Sequence, residues 1–256
     1  LEKTINSFLE VLAVSHTCMV SQTKEGDGSI KYDAESPDES ALVETAADLG
    51  WVFTSRVGAK AVVTYKEIGK NKAQPPKKLE YEILATNAFN SDRKRMSVLV
   101  KKGSEYSLLI KGADNVMKKR ATKNTKHDEL DKLLTDFGTE GLRTLLVGKR
   151  EIQQSDATAW LVKYQEAQRT LTNREAALDK VAEEIEVELE IVGITAIEDK
   201  LQDKVPDTIE KLRAAGIKLW VLTGDKLETA RNIGFSAKVL VNGMTIAEIE
   251  KPATGG

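Results

Sequence analysis

Residues 79–111 read LEYEILATNAFNSDRKRMSVLVKKGSEYSLLIK, and the way this run pairs with itself decides the fold. Three strand-like segments stand in it, at 79–86, 95–101 and 105–111, each rich in aliphatic residues. The last two are separated only by Lys102, Gly103 and Ser104, a tight-turn signal that predicts an antiparallel hairpin. Between the first two lies a polar patch in which a single aromatic, Phe89, precedes Ser91 and three consecutive cations, Arg93, Lys94 and Arg95. Such a phenylalanine is either the last residue of a core or a ring left open for a flat, negatively charged ligand.

Outward from this run, 51–55 and 61–68 read as further strands, with Pro75 and Pro76 marking a loop before 79, and 143–151 reads as one more. Helical spacing runs through 2–20, carried by Ile5, Phe8, Leu9, Leu12 and Cys18 or Met19, and 21–35 reads as a loop. Residues 36–50 carry a full set of helix signals. Ser36 is the candidate cap, Pro37 the first helical residue, Asp38 and Glu39 the acidic first turn, and Gly50 the stop. Short helices are expected after Gly112 and over 127–137. These elements predict an α+β domain, an antiparallel sheet with flanking helices.

After residue 152 the pattern changes. Residues 156–186 read as one long charged helix, with Trp160, Leu161, Tyr164, Leu171, Leu178, Val181 and Ile185 near one stripe. Then strand, helix, strand and helix alternate at 189–197, 205–216, 218–225 and 226–238. The apolar run LEIVGITAI reads as a buried parallel strand. We expect a first domain over 1–187, including the long helix, and a partial α/β segment over 188–256 that lacks the strands to complete its sheet.

The bulk numbers exclude several classes. The 256 residues are 41% apolar, enough for a sizeable core, and carry a net charge of −2, which argues against a polycation that binds nucleic acid by charge alone. One cysteine, Cys18, precludes an internal disulfide and suits a reducing compartment. His16 and His127 lie far apart, so no zinc-like ligand spacing exists. No apolar run approaches the roughly 20 residues that cross a bilayer, which predicts a soluble chain. The chain begins at Leu1 rather than Met, as a piece of a longer protein does.

Several residues have the chemistry to bind phosphate or a base. Thr223, Gly224 and Asp225 close an apolar strand and precede a helix N-terminus, where free N–H groups attract phosphate; a plain helix cap is an equal reading of Asp225. Lys111 ends a strand before Gly112, either as a solvated cation or as a point charge with space cleared beside it. Arg143 opens a strand after Gly141, and a surface ion pair is its simplest use. Glu39 complements its helix dipole whatever else it does. Phe89 shares parity with Tyr81, Ile83 and Ala85, as a core residue would.

Together these pieces resemble one family along almost the whole chain. SPDESALV (36–43), FNSDRKRMSV (89–98), KGAD (111–114), EGLRTL (140–145), ITAIEDKLQDKVPDTIEKLRAAGIKLWVLTGDK (194–226) and ETARNIGFS (228–236) occur in this order. The set resembles the cytosolic nucleotide-binding (N) domain of a P-type ATPase of the phospholipid-flippase branch. The final segment resembles part of that family's HAD-like phosphorylation (P) domain. The resemblance implies ATP as ligand, with Phe89 stacked on adenine and Glu39 near the adenine end. It implies Ser91 and Lys94 at the nucleotide, Lys111 deep in the pocket and Arg143 toward the ribose-phosphate. Arg93 and Arg95 orient the strand or pair with acidic neighbours.

The family's phosphorylated aspartate, in an Asp-Lys-Thr-Gly motif, and its Mg²⁺-binding Gly-Asp-Gly-x-Asn-Asp segment are not in this sequence. Thr223, Gly224 and Asp225 therefore belong to an incomplete catalytic site, and the chain is expected to bind ATP without turning it over. The parent enzyme implied is an ATP-driven phospholipid translocase at the cytosolic face of a eukaryotic membrane. There it would use Mg²⁺, the remaining P and actuator domains, transmembrane helices and an accessory subunit. Two rivals stand beside this reading. One is a free-standing phosphatase or phosphotransferase with Asp199 as nucleophile. The other is a nucleic-acid-binding module using Arg93–Arg95 and Lys118–Lys126.

Overall fold

A computed structural model describes residues 1–22, 30–66, 75–198, 201–224 and 227–249. The chain forms two compact units, one of 1–131 with 144–195 and the other of 132–143 with 196–256.

The first unit is built on a seven-stranded sheet in sequence order: β3 (Trp51–Val57), β4 (Lys60–Tyr65), β5 (Lys77–Asn87), β6 (Arg95–Lys102), β7 (Glu105–Gly112), β8 (Arg143–Ile152) and β9 (Glu190–Ile197). Each neighbour from β3 to β8 runs antiparallel. The predicted hairpin is present, with Lys102 opposite Glu105 and Gly103 in the left-handed region at φ +62°. β6 is buried along its first six residues, Arg95–Val100, as a strand covered on both faces must be. The α+β architecture with an antiparallel sheet is therefore as expected.

Helix α1 (Glu2–Val14) packs on β3, β4 and β7, and α2 (Pro37–Asp48) packs on α1 and β3. Ser36 takes the cap position with extended backbone and Pro37 follows, but the Ser36 side chain makes no cap hydrogen bond. Between them, 19–22 (β1) and 30–33 (β2) pair as a small antiparallel sheet within the stretch expected to be a loop. Tyr32 anchors it, buried and donating its hydroxyl to the Phe53 carbonyl at 2.9 Å.

Two expectations are corrected. The single helix over 156–186 is a helical hairpin, α5 (Gln154–Arg169) and α6 (Arg174–Ile185). Asn173 breaks it at φ 52°, ψ 37°, a conformation Asn tolerates better than most residues. Folding back lets the Trp160 indole N–H donate to the Val181 carbonyl at 2.8 Å while Trp160 stacks on Tyr164. The run 189–197 does not open a parallel sheet. As β9 it lies beside β8, with Glu190 next to Gly148 and Thr195 reaching the Leu145 carbonyl, so the two strands run in opposite directions. Only Val192 and Thr195 of β9 are buried, in keeping with an edge position rather than a central one.

Helix α3 (Asp114–Met117) follows β7, and α4 (His127–Thr139) carries the chain from the first unit into the second. The second unit also contains α7 (Val205–Ala214) and α8 (Leu227–Ser236). Lys238 holds α7 through Asp207 and Glu210, and Asn232 donates to the Thr139 carbonyl. The expected strand 218–225 is not formed over its described residues. Trp220 and Leu222 are exposed there.

Candidate functional site

One end of the first unit's sheet gathers most of the predicted residues. β7 finishes at Lys111 and Gly112, opposite Met96 and Arg95 of β6. A Cβ on Gly112 would fall 2.5 Å from the Arg95 Cβ and 2.9 Å from the Lys94 carbonyl, so only glycine allows this approach. The turn 88–94 is thereby seated against β7. Ala113 N–H donates to the Lys94 carbonyl at 2.9 Å, Lys94 N–H to that of Asn90 at 2.8 Å, and Arg93 N–H to Asn90 Oδ1 at 2.6 Å. Lys94 sits in the left-handed region at φ 51°, an uncommon place for a residue with a Cβ. Its side chain is exposed, as are those of Ser91 and Phe89. Phe89 lies two residues past the end of β5 and is 61% exposed, so it is not a core residue.

Lys111 is 6% exposed, and its ammonium lies 3.5 Å from Glu39 Oε1. No hydrogen-bond partner for its Nζ is present among the described residues. Burial holds the ammonium below the usual lysine range, with Glu39 and then Cys18 acting the other way. Glu39 comes from the first turn of α2 and is itself held by Thr17, whose hydroxyl donates to Oε2 at 2.7 Å and whose backbone N–H donates to Oε1 at 3.2 Å. Burial and then the Lys111 charge bring His16 down to about 4, and burial and Glu39 push the Cys18 thiol up to about 11. Glu39 and Lys111 are thus in direct contact, with Ser91, Lys94 and Phe89 on the turn packed against Gly112.

The remaining predicted residues lie elsewhere. Phe89 also lines a cavity of about 380 Å³ with Thr86, Tyr164, Arg174 and Leu178, on the α5–α6 side. Lys94, Lys111 and Glu39 do not line that cavity. Arg143 is the first residue of β8 and belongs to the second unit. Thr223 and Gly224 stand in the exposed segment before α8, and Asp225 lies outside the described residues, as does Asp199. Sequence reasoning missed Thr17. Its only signal was a short polar break, Ser15-His16-Thr17, at the end of an apolar helix.

Arg93 and Arg95 are buried and occupied. Both meet the fully buried Glu186 of the α6 C-terminus, Arg95 Nε at 2.5 Å, and they also reach Asp179 and Glu183. Of the second basic run, Lys118 pairs with Asp131, Arg120 with Glu183 and Lys126 with Glu129. Arg93, Arg95, Lys118, Arg120 and Lys126 are thus engaged by carboxylates, which weakens the basis for a nucleic-acid module. Among the described residues no helix is long and apolar enough to cross a membrane.

Comparison with known proteins places this geometry. Residues 4–204 match the family model described as P-type ATPase, cytoplasmic domain N. The chain is 45% identical over 247 residues to the human protein named phospholipid-transporting ATPase IC, covering 96% of this chain and 19% of that protein. It is 44% identical over 250 residues to phospholipid-transporting ATPase DRS2 of Saccharomyces cerevisiae, covering 96% and 18%. Over 254 residues it is 40% identical to the probable phospholipid-transporting ATPase 11 of Arabidopsis thaliana, covering 97% and 21%. The chain therefore spans about a fifth of the length of these relatives.

Proposed function

The chain belongs to the P-type ATPase family, as its cytoplasmic domain N, and from that premise we propose that it holds ATP for a phospholipid-transporting pump. One observation carries the ligand assignment. The Lys111 ammonium is buried against a carboxylate with no hydrogen-bond partner for its Nζ among the described residues. A buried cation in that condition costs stability unless a ligand completes it. An adenine nucleotide offers ring nitrogens, ribose oxygens and phosphates to do so.

In this reading each residue binds or orients. Phe89 offers its exposed ring to the adenine face, a contact worth about 1–3 kcal/mol. Lys111 donates to the buried end of the nucleotide, and Glu39 keeps that lysine in position. Lys94 and Ser91 meet the nucleotide from the turn. ATP supplies the phosphoryl group. The aspartate that accepts it, the Mg²⁺ ligands and the lipid path belong to the rest of the parent protein, on the cytosolic face of its membrane. Thr223, Gly224 and Asp225 join the phosphoryl-transfer site only in that parent.

Calorimetric titration of the 256-residue chain tests the reading. ATP and ADP are expected to bind with similar, weak affinity, on the order of 0.1–1 mM, because the base and ribose contacts dominate. Preference for GTP, or no binding of adenine nucleotides, overturns it. For the parent, loss of labelled-phospholipid transfer when ATP is withheld tests the transport half of the proposal.

A further inference from the structure

Glu39 is oriented by a residue that no motif contains. Thr17 lies in the turn between α1 and β1, 22 positions before Glu39 in the chain. It is exposed, so it contributes little packing, yet it donates to both carboxylate oxygens: hydroxyl to Oε2 at 2.7 Å, backbone N–H to Oε1 at 3.2 Å. Glu39 Oε1 also faces Lys111 at 3.5 Å. A glutamate side chain has three rotatable bonds and, on the first turn of a helix, ample freedom to swing toward solvent. The two hydrogen bonds from Thr17 remove that freedom. Without the hydroxyl, only one backbone N–H would hold the carboxylate against a buried ammonium, and Glu39 would rotate out to water. Lys111 would then lose its counter-charge.

We propose that Thr17 is a positioning residue of the nucleotide site, acting through Glu39 to hold the Lys111 ammonium where a bound nucleotide meets it. The inference rests on the ATP-binding reading above. It adds a fourth element, the α1–β1 turn, to a site whose motif residues lie on α2, the 88–94 turn and β7. The groups facing Lys111 are Glu39 from α2, with His16 and the Cys18 thiol from the α1–β1 turn. Removing the carboxylate takes away the counter-charge that opposes burial, so the lysine should lose its proton at lower pH.

The test uses Thr17→Val, of nearly the same shape, and Thr17→Ser, which keeps the hydroxyl. Two quantities are read on the 256-residue chain. One is ATP affinity by calorimetry. The other is the pH midpoint of Lys111 acetylation by acetic anhydride, followed by mass spectrometry. Thr17→Val should weaken ATP binding by roughly tenfold, one charge-assisted hydrogen bond's worth. It should also move the Lys111 midpoint to lower pH, with a melting temperature close to that of the unmodified chain. Thr17→Ser should restore both. An unmoved Lys111 midpoint in Thr17→Val overturns the proposal, as does an affinity loss that serine does not rescue. Absence of ATP binding by the unmodified chain instead overturns the site reading, and with it the ligand half of this inference.

Discussion

Two clusters of cations and carboxylates sit near the same end of the sheet, and they are completed to different degrees. At the α6 side, the Glu186 carboxylate is fully buried and receives Arg93, Arg95 and the Ser97 hydroxyl at 2.7 Å. Ser97 in turn accepts from Asn87 Nδ2 at 2.9 Å, and Arg93 also donates to the Ala88 carbonyl at 3.0 Å. At the α2 side, Glu39 faces a single lysine at 3.5 Å, and that lysine's Nζ has no hydrogen-bond partner among the described residues. The first cluster is nearly saturated by the protein, with Arg93 Nε, 3.5 Å from Asp179, left without a hydrogen bond while the rest of that guanidinium is bonded, and it fastens the 88–94 turn to α6. In the second, the lysine ammonium makes no hydrogen bond among the described residues, which is costly in a buried site unless something else arrives. How far each cation is bonded by the protein is therefore what distinguishes framework from binding site in this reading.

The largest effect that would test this division is on the framework side. Glu186→Gln removes the charge that two buried guanidinium groups share, and should cost about 3–5 kcal/mol of stability. Urea unfolding of the two proteins measures it. If the variant unfolds at the same urea concentration as the parent chain, the Glu186 cluster is not the fastening described, and the comparison fails at its stronger end.

The opposite behaviour is expected of Lys111→Met. The methionine fills the same buried volume without an ammonium to desolvate, and Glu39 keeps both hydrogen bonds from Thr17. Stability should fall by less than for Glu186→Gln, because Glu39 is only part-buried and keeps both hydrogen bonds from Thr17 once its counter-charge is gone. ATP binding should fall by roughly tenfold to a hundredfold, the worth of a hydrogen bond from a charged donor. Unfolding and calorimetry on one sample decide it. A destabilisation of the size expected for Glu186→Gln, with ATP affinity intact, would make Lys111 framework as well.

The difference between the clusters was only half legible in the sequence. The Lys111–Gly112 step was readable because a glycine after a strand-end cation signals a close approach, and the structure shows the Arg95 Cβ filling that space. The helix 36–50 was readable from Ser36, Pro37, Asp38 and Gly50, all local signals. The Glu186 cluster was not, since its partners lie 89 to 93 residues away and nothing local marks one glutamate of an acidic helix as the buried one. The turn at Asn173 was missed although Thr170, Thr172 and Asn173 are weak helix formers, because apolar residues at helical spacing run on across it and tertiary packing of Trp160 against α6 decides the break. β9 misled because a continuous apolar run fits either a central parallel strand or, as here, an edge strand. Phe89 could not be decided by parity. Alternation holds only inside a strand, and β5 has a register shift between Ile83 and Ala85 and ends at Asn87.

Phe89 is also where the smallest effect is expected and where the comparison can be sharpened most. The ring is on the turn that the Glu186 cluster fastens, yet it serves the other one in the reading above. Being 61% exposed, it has little packing to lose, so Phe89→Ala should change stability by no more than about 0.5 kcal/mol. ATP affinity should fall by about 1–3 kcal/mol, the worth of one base stacked on an aromatic side chain. Phe89→Leu separates stacking from bulk, because leucine keeps an apolar contact and loses the π-face. It should bind ATP nearly as weakly as the alanine variant, whereas Phe89→Trp should bind it at least as well as phenylalanine. The cavity beside Tyr164 and Leu178 supplies the competing outcome. If the ring works by packing into that cavity, leucine will substitute for it, alanine will lower the melting temperature, and ATP affinity will follow stability rather than aromaticity. Melting temperature and ATP affinity measured on the same three variants distinguish the two. A fall in melting temperature with unchanged affinity would move Phe89 from the ligand side of the comparison to the framework.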